Sequence, residues 1–159
     1  MFEPIAAETE RVATQVMDAA FKVRGALGPG LLESVYEICL CHELARQNVP
    51  FERQLSLPVV YEGTRLDAGL RLDLLVADAV IVELKAVERM SPLYEAQLLT
   101  YLKLSGKRLG LLINFNAPVL KDGFKRLVLY LCVVSSCRRG NIKPRKQPQR
   151  HNGTTKRGK

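Results

Sequence analysis

The feature that most constrains this chain is the segment at residues 80–85, which reads Val-Ile-Val-Glu-Leu-Lys. Its apolar, β-branched composition is typical of a strand buried on both faces, in the middle of a sheet covered by helices. Side chains alternate along a strand, so Glu83 and Lys85 share one face while Val82 and Leu84 share the other. Two opposite charges are therefore predicted on one face at the end of a buried strand.

The segments before this strand predict two helices followed by two strands. Apolar residues at helical spacing predict one helix over residues 8–24 and another from residue 31 to about residue 48. The Gly- and Pro-rich segment at residues 25–30 is expected to end the first helix. Alternating, β-rich residues then predict strands at residues 51–61 and 66–76.

The segments after the strand at residues 80–85 predict one helix and two more strands. Ser91 and Pro92 are typical of a helix cap and a first-turn proline, and they begin a predicted helix over residues 93–104. Strands are predicted at residues 108–115 and 124–134. The order is ααβββαββ, with an antiparallel meander of three strands and a helix that crosses the sheet.

The charges divide the chain into a folded part and a basic tail. Nine of the 24 Lys and Arg residues lie in residues 138–159, which hold no acid, so 15 basic residues accompany all 16 acids in residues 1–137. The length suits one domain over residues 1–137. The tail has too few apolar residues to offset the entropy of ordering, and we expect it to be disordered. Its role stays open between sequence-independent phosphate contacts and solubilisation.

Composition also indicates the compartment. No apolar run approaches the roughly 20 residues that span a bilayer, and Glu3 stands where a secretory signal carries positive charge. The four cysteines include no Cys-x-x-Cys pair, so structural zinc is not expected. We expect a cytoplasmic protein with reduced thiols and no contact with membranes.

A second carboxylate is predicted beside Glu83. Asp73 lies on the adjoining strand, and the short turn at residues 77–78 brings it next to Glu83. Asp67 shares a strand face with Asp73 but lies further from the turn. Two converging carboxylates repel unless a cation lies between them, and such oxygen ligands suit Mg²⁺ or Mn²⁺. The alternative is an exposed strand end with a salt bridge, since Glu-x-Lys is a frequent tripeptide.

Asp73 followed by Glu83-Leu84-Lys85 resembles the PD-(D/E)XK nuclease superfamily, although Leu72 stands where the motif has proline. The resemblance implies the restriction-endonuclease-like α/β fold, a mixed sheet flanked by helices. It also implies a Mg²⁺ or Mn²⁺ ion held by Asp73 and Glu83, with Lys85 as the catalytic cation.

Two further motifs extend the resemblance. Gln97 and Tyr101 resemble the Gln-x-x-x-Tyr motif of the exonuclease branch, and residues four apart share a helix face. Their alternative reading is a surface glutamine and a core tyrosine. Residues 30–36, Gly-Leu-Leu-Glu-Ser-Val-Tyr, resemble the pattern that names the bacterial GxxExxY family of the same superfamily, and the likeness covers about residues 8–130. It implies that Glu33 reaches the metal site, whereas a glutamate in a first helical turn is also favoured by the helix dipole.

Two hypotheses follow. The first is a metal-dependent nuclease that hydrolyses DNA or RNA phosphodiesters, in which Asp73 and Glu83 bind the metal and Lys85 is catalytic. Glu33, Gln97 and Tyr101 complete its predicted site. The second is a catalytically inactive nuclease-fold module for binding or assembly, whose basic tail contacts nucleic acid. The presence of Asp73, Glu83 and Lys85 together favours the nuclease. The near-neutral net charge of residues 1–137 favours the inactive module. Nucleic acid is the expected partner under both, and a homo-oligomer stays open.

Overall fold

The structure is a computed structural model that describes residues 3–130, in which a five-stranded mixed sheet has helices on both faces. The elements in chain order are α1 (Ala7–Leu27), α2 (Glu33–Arg46), β1 (Phe51–Tyr61), β2 (Thr64–Val76), β3 (Val80–Lys85), α3 (Pro92–Ser105), β4 (Leu109–Asn114), the 3₁₀ helix η1 (Leu120–Gly123) and β5 (Phe124–Val128). The predicted α/β class and the predicted order of elements are confirmed.

The sheet order is β1-β2-β3-β4-β5. The first three strands are antiparallel neighbours, as the predicted meander requires, and β3 pairs with β4 in parallel because α3 crosses between them. The turn from β2 to β3 is tight, with Ala77 and Asp78 at φ of 49° and 50°. Paired left-handed residues match the twist of the strands they join. This turn places the end of β2 directly beside the central strand.

The core has two layers, one on each face of the sheet. The buried stripe of α1, which includes Val16 and Val23, packs with α2 against Val82 and Leu84. On the other face Ile81 packs against the buried residues of α3. Because neighbouring residues of β3 enter different layers, this strand is covered on both sides, as its apolar composition predicted.

Several predicted boundaries were wrong. Gly25 lies inside α1, which continues to Leu27 and stops where Gly28 adopts φ of 70°. One helical glycine costs only about 1 kcal/mol, which packing of the adjoining turns offsets. The second helix begins at Glu33, two residues later than predicted, and Leu32, within the predicted helix, is 73% exposed.

The last strand ends at Val128, short of its predicted end. The remainder of that prediction, residues 131–134, lies outside the described residues, as do the boundary at residue 137 and the basic tail. Among the helices of residues 3–130, none is long and apolar enough to cross a membrane.

Candidate metal centre

The centre lies where β2 and β3 separate. The ladder between them pairs Leu74 with Val82 and ends there, so the next two positions, Asp73 and Glu83, are opposite each other without main-chain pairing. Asp73 Oδ2 instead accepts the backbone N–H of Leu84 at 2.8 Å. Burial raises the pKa of Asp73, and the Leu84 hydrogen bond opposes that rise. The Asp73 carboxylate therefore takes the place of a main-chain partner beyond the end of the ladder and links β2 to β3.

Glu83 is the most deeply buried acid of the centre, with 3% of its surface exposed. Its Oε1 accepts a hydrogen bond from Lys85 Nζ at 3.0 Å, whereas its Oε2 is buried without a hydrogen-bond partner among the described residues. Burial and, to a smaller extent, the charge of the nearby Asp73 carboxylate together raise the pKa of Glu83 to about 7. A buried carboxylate oxygen without a partner is unfavourable. A cation beside Oε2 would remove this penalty.

Lys85 is held from three directions. Its Nζ donates to Glu83 Oε1 at 3.0 Å and to the carbonyl oxygen of Leu84 at 2.7 Å. It also lies 5.5 Å from the centroid of the Tyr94 ring of α3. Burial lowers the pKa of Lys85, but the carboxylates of Glu83, Glu33 and Asp73 outweigh it and raise the pKa overall. The side chain is therefore a positioned ammonium ion.

Glu33, the first residue of α2, reaches the same centre from the helix layer. Its carboxylate is partly buried and hydrogen-bonds the backbone of Ala86, directly after β3. Burial raises the pKa of Glu33, the charge of Lys85 lowers it and the charge of Asp73 raises it again. Three acids and one ammonium ion from α2, β2 and β3 thus influence one another electrostatically.

The donor set fits a hard divalent cation. Residues 3–130 contain no group of three or more His, Cys, Asp and Glu side chains placed to hold a metal ion together. An ion at this centre would therefore have no more than two carboxylate ligands, for which Asp73 and Glu83 are the candidates on the adjoining strands, and water would complete the shell. Mg²⁺ is usually bound in this manner, through one or two carboxylates and several retained waters.

Comparison with family models identifies the chain. A model described as the PD-(D/E)XK nuclease superfamily matches residues 10–127, about three quarters of the sequence and all of the centre. The chain belongs to the PD-(D/E)XK nuclease superfamily. The predicted resemblance and the restriction-endonuclease-like fold are confirmed. Members of this superfamily typically use divalent metal ions. Comparisons with curated proteins and with solved structures gave no match.

The superfamily match does not distinguish the GxxExxY branch, but the structure explains what this motif does physically. Tyr36 Oη donates to the carbonyl oxygen of Gly28 at 2.7 Å and accepts from the backbone N–H of Leu31 at 3.2 Å. The backbone N–H of Gly30 donates to Asn116 Oδ1 at 2.8 Å. Gly30 has φ of 97°, a conformation that favours glycine. These contacts fix the loop that carries Glu33 into the centre.

We predict that Tyr36→Phe lowers the free energy of unfolding by about 1–3 kcal/mol, because it removes two hydrogen bonds that each contribute about 0.5–1.5 kcal/mol. The substitution keeps the ring, which stacks on Phe115 with 4.4 Å between centroids, and removes only the hydroxyl. Urea denaturation measures the effect. Tyr61→Phe is the matched control, because Tyr61 is 64% exposed and its change should stay within about 0.5 kcal/mol. Equal effects of the two substitutions would contradict this account.

Gln97 and Tyr101 share a face of α3, as predicted, and they bond to each other: Gln97 Nε2 donates to Tyr101 Oη at 2.6 Å. Tyr101 is 5% exposed and belongs to the core beneath α3. The α3 residue that contacts the centre through Lys85 is Tyr94, one turn before Gln97. Tyr94 was not among the predicted site residues, because an aromatic residue early in a helix is usually a core residue.

Asn114 is a second residue that the sequence analysis missed. It pairs with Lys85 in the parallel ladder and is 2% exposed. Its Oδ1 accepts the backbone N–H groups of Val87 and Asn116 at 3.1 and 3.2 Å, and its Nδ2 donates to the carbonyl oxygen of Val87 at 2.8 Å. Asn114 thereby fixes the chain that leaves β3. The available signal was an amide residue at the end of an otherwise apolar strand.

Proposed function

We propose that this PD-(D/E)XK superfamily member is a divalent-metal-dependent nuclease that hydrolyses phosphodiester bonds of DNA or RNA. The observation that carries the proposal is the buried Oε2 of Glu83, without a hydrogen-bond partner among the described residues, beside a second carboxylate and a partly buried ammonium ion. Such an arrangement is unfavourable for a purely structural salt bridge, since one oxygen gains nothing from its burial. It suits a centre completed by a metal ion.

Each residue of the centre has a distinct proposed role. Asp73 and Glu83 bind Mg²⁺ or Mn²⁺, which when bound polarises a phosphoryl oxygen and lowers the pKa of a coordinated water. Lys85 has three N–H donors, of which Glu83 and the Leu84 carbonyl use two. The remaining donor stabilises negative charge that develops on the phosphate.

The supporting residues approach the centre from two helices. Glu33 is proposed to accept a proton from the attacking water on the α2 side, because its carboxylate interacts with both Lys85 and Asp73. Gln97 is proposed to contact the nucleic acid strand from α3, held in place by its hydrogen bond to the buried Tyr101. Gln97 lies one turn beyond Tyr94, so a substrate at Lys85 would pass along this face of the helix.

The proposal is tested by incubating the purified chain with end-labelled single-stranded DNA, duplex DNA and RNA. We expect products with Mg²⁺ or Mn²⁺ and none with chelator. Asp73→Asn should be inactive, whereas Asp67→Asn, on the same strand, should cleave like the wild type and so exclude a contaminating nuclease. Intact substrates of all three kinds in the presence of either metal would reject the nuclease and favour a binding or assembly module.

A further inference from the structure

Gln54 has an unusual backbone for a strand residue. Its φ is 50°, in the left-handed region that side chains with a Cβ adopt at a cost. Four other described residues besides glycines have positive φ, and each lies in a turn: Asn48, Glu62, Ala77 and Asp78. Gln54 lies within β1. Conformations of this kind persist where the surrounding structure enforces them, often at functional sites.

The register places Gln54 opposite Asp73. Arg53 pairs with Leu74 and Leu55 pairs with Leu72, so Gln54 and Asp73 are the intervening residues on the two strands. Leu74 packs in the core layer of α1 and α2, whereas Leu72, two residues away, packs in the layer of α3. Residues two apart normally share a face. At Gln54 and Asp73 the regular alternation of the strands is therefore interrupted, and side chains two residues apart point to opposite faces of the sheet.

This interruption puts the Gln54 side chain between α2 and the centre. Its Nε2 donates to Glu37 Oε2 at 3.1 Å, and the amide lies close enough to the Asp73 carboxylate to lower the pKa of that group. Glu37 is 8% exposed, and its other oxygen accepts from Arg53 Nε at 2.9 Å. Glu37 is thus a buried residue of α2 whose position is fixed by hydrogen bonds to both of its oxygens, and we call it the anchor. A primary amide has two N–H donors, which suffices for one carboxylate on each side.

We infer that Gln54 is the positioning residue for Asp73: its amide holds the Asp73 carboxylate in place from the anchor Glu37. The inference rests on the proposed function, because it takes Asp73 as a metal ligand. Partners of this kind orient ligating carboxylates in metal sites. A neutral amide suits the role, since it fixes the carboxylate without cancelling the charge that attracts the metal. Leu84 N–H and Gln54 then hold the same carboxylate from two strands.

Gln54→Gly separates positioning from strain. Glycine adopts the observed φ freely, so this change removes the amide and relieves the backbone together. We expect the affinity for Mn²⁺ to fall about 10–100-fold, the usual effect of losing a partner of a metal ligand, while the metal-free melting temperature stays equal or rises. Electron paramagnetic resonance of free Mn²⁺ during titration of the full chain, without nucleic acid, measures the affinity.

Glu62→Gly is the matched control. Glu62 has φ of 48° in the turn between β1 and β2, about 30 Å along the strand from the centre. Glu62→Gly therefore relieves the same kind of backbone strain as Gln54→Gly, but far from the centre. The affinity for Mn²⁺ should stay within about two-fold of the wild type. Gln54→Met keeps the side-chain length without the hydrogen bonds, so it tests the inference even if the glycine variant does not fold. It should show the same loss of affinity.

Wild-type affinity for Mn²⁺ in both Gln54 variants would overturn the inference while leaving the proposed function intact. A wild type that binds no Mn²⁺ would overturn the metal site itself, and the inference with it. The two failures are distinguished because the first is read from the Gln54 variants and the second from the unaltered chain.

Discussion

Replacing Lys85 with alanine is expected to lower the rate of cleavage by about 10²-fold or more, the effect of losing a preorganised donor to transition-state charge. Mn²⁺ binding should survive or strengthen. The substitution frees Glu83 Oε1, which now accepts from Lys85, so both oxygens of that carboxylate would be available to an ion without a competing ammonium group. Single-turnover cleavage at saturating metal measures the rate, and titration of free Mn²⁺ measures the binding.

Lys103→Ala is the control for Lys85→Ala, because Lys103 is an exposed lysine in the last turn of α3. It should leave both the rate and the affinity near those of the wild type. A purely structural ion pair between Lys85 and Glu83 predicts a different pattern. Lys85→Ala would then lower the melting temperature and added Mn²⁺ would not restore it, an outcome that rejects Lys85 as a catalytic residue.

Glu83→Gln is expected to abolish cleavage and most of the stabilisation by metal. A ligand at 100 times its Kd stabilises the folded state by about 2.7 kcal/mol, on the order of 10 °C in Tm for a domain of this size. The glutamine keeps the volume but removes the charge that repels Asp73. The metal-free Tm of the variant should therefore equal or exceed that of the wild type, as expected where function opposes stability.

Differential scanning calorimetry with and without Mn²⁺ measures these shifts. Glu88→Gln is the control for Glu83→Gln, since Glu88 is exposed in the segment after β3 and its substitution should leave the full metal-induced rise in Tm. The same rise in Glu83→Gln as in the wild type would show that the ion binds elsewhere. That result would remove Glu83 from the ligand set.

Most of the fold was predictable because its signals are local. The helical stripe of α1, the alternation of β1 and β2 and the apolar density of β3 each depend on residues within one element. Boundaries were less predictable, since they depend on packing between elements. Gly25 continues a helix whose preceding turns are buried through Ala20 and Val23, and Leu32 is exposed because α2 begins one residue after it.

Parts of the centre were predictable for a different reason. Asp73, Glu83 and Lys85 follow from strand alternation and one short turn, which the structure contains. Their function is still a proposal. Gln54 was not predictable, because it reads as an ordinary polar strand residue until its left-handed backbone and the interrupted alternation of the strands are known.

The hydrogen bond from Gly30 to Asn116 has a consequence for the order in which the centre forms during synthesis. It joins residues 86 positions apart, so this contact of the loop that carries Glu33 forms only after Asn116 has been made. The charged end of β3 is translated earlier, and at about 5–20 residues per second the ribosome needs roughly 2–6 s to extend the chain from Lys85 to Asn116. A nascent chain in this interval already contains Glu33, Asp73 and Glu83, but it lacks β4 and Asn116, which complete the structure around them. Assembly of the centre is therefore delayed until β4 has left the ribosome.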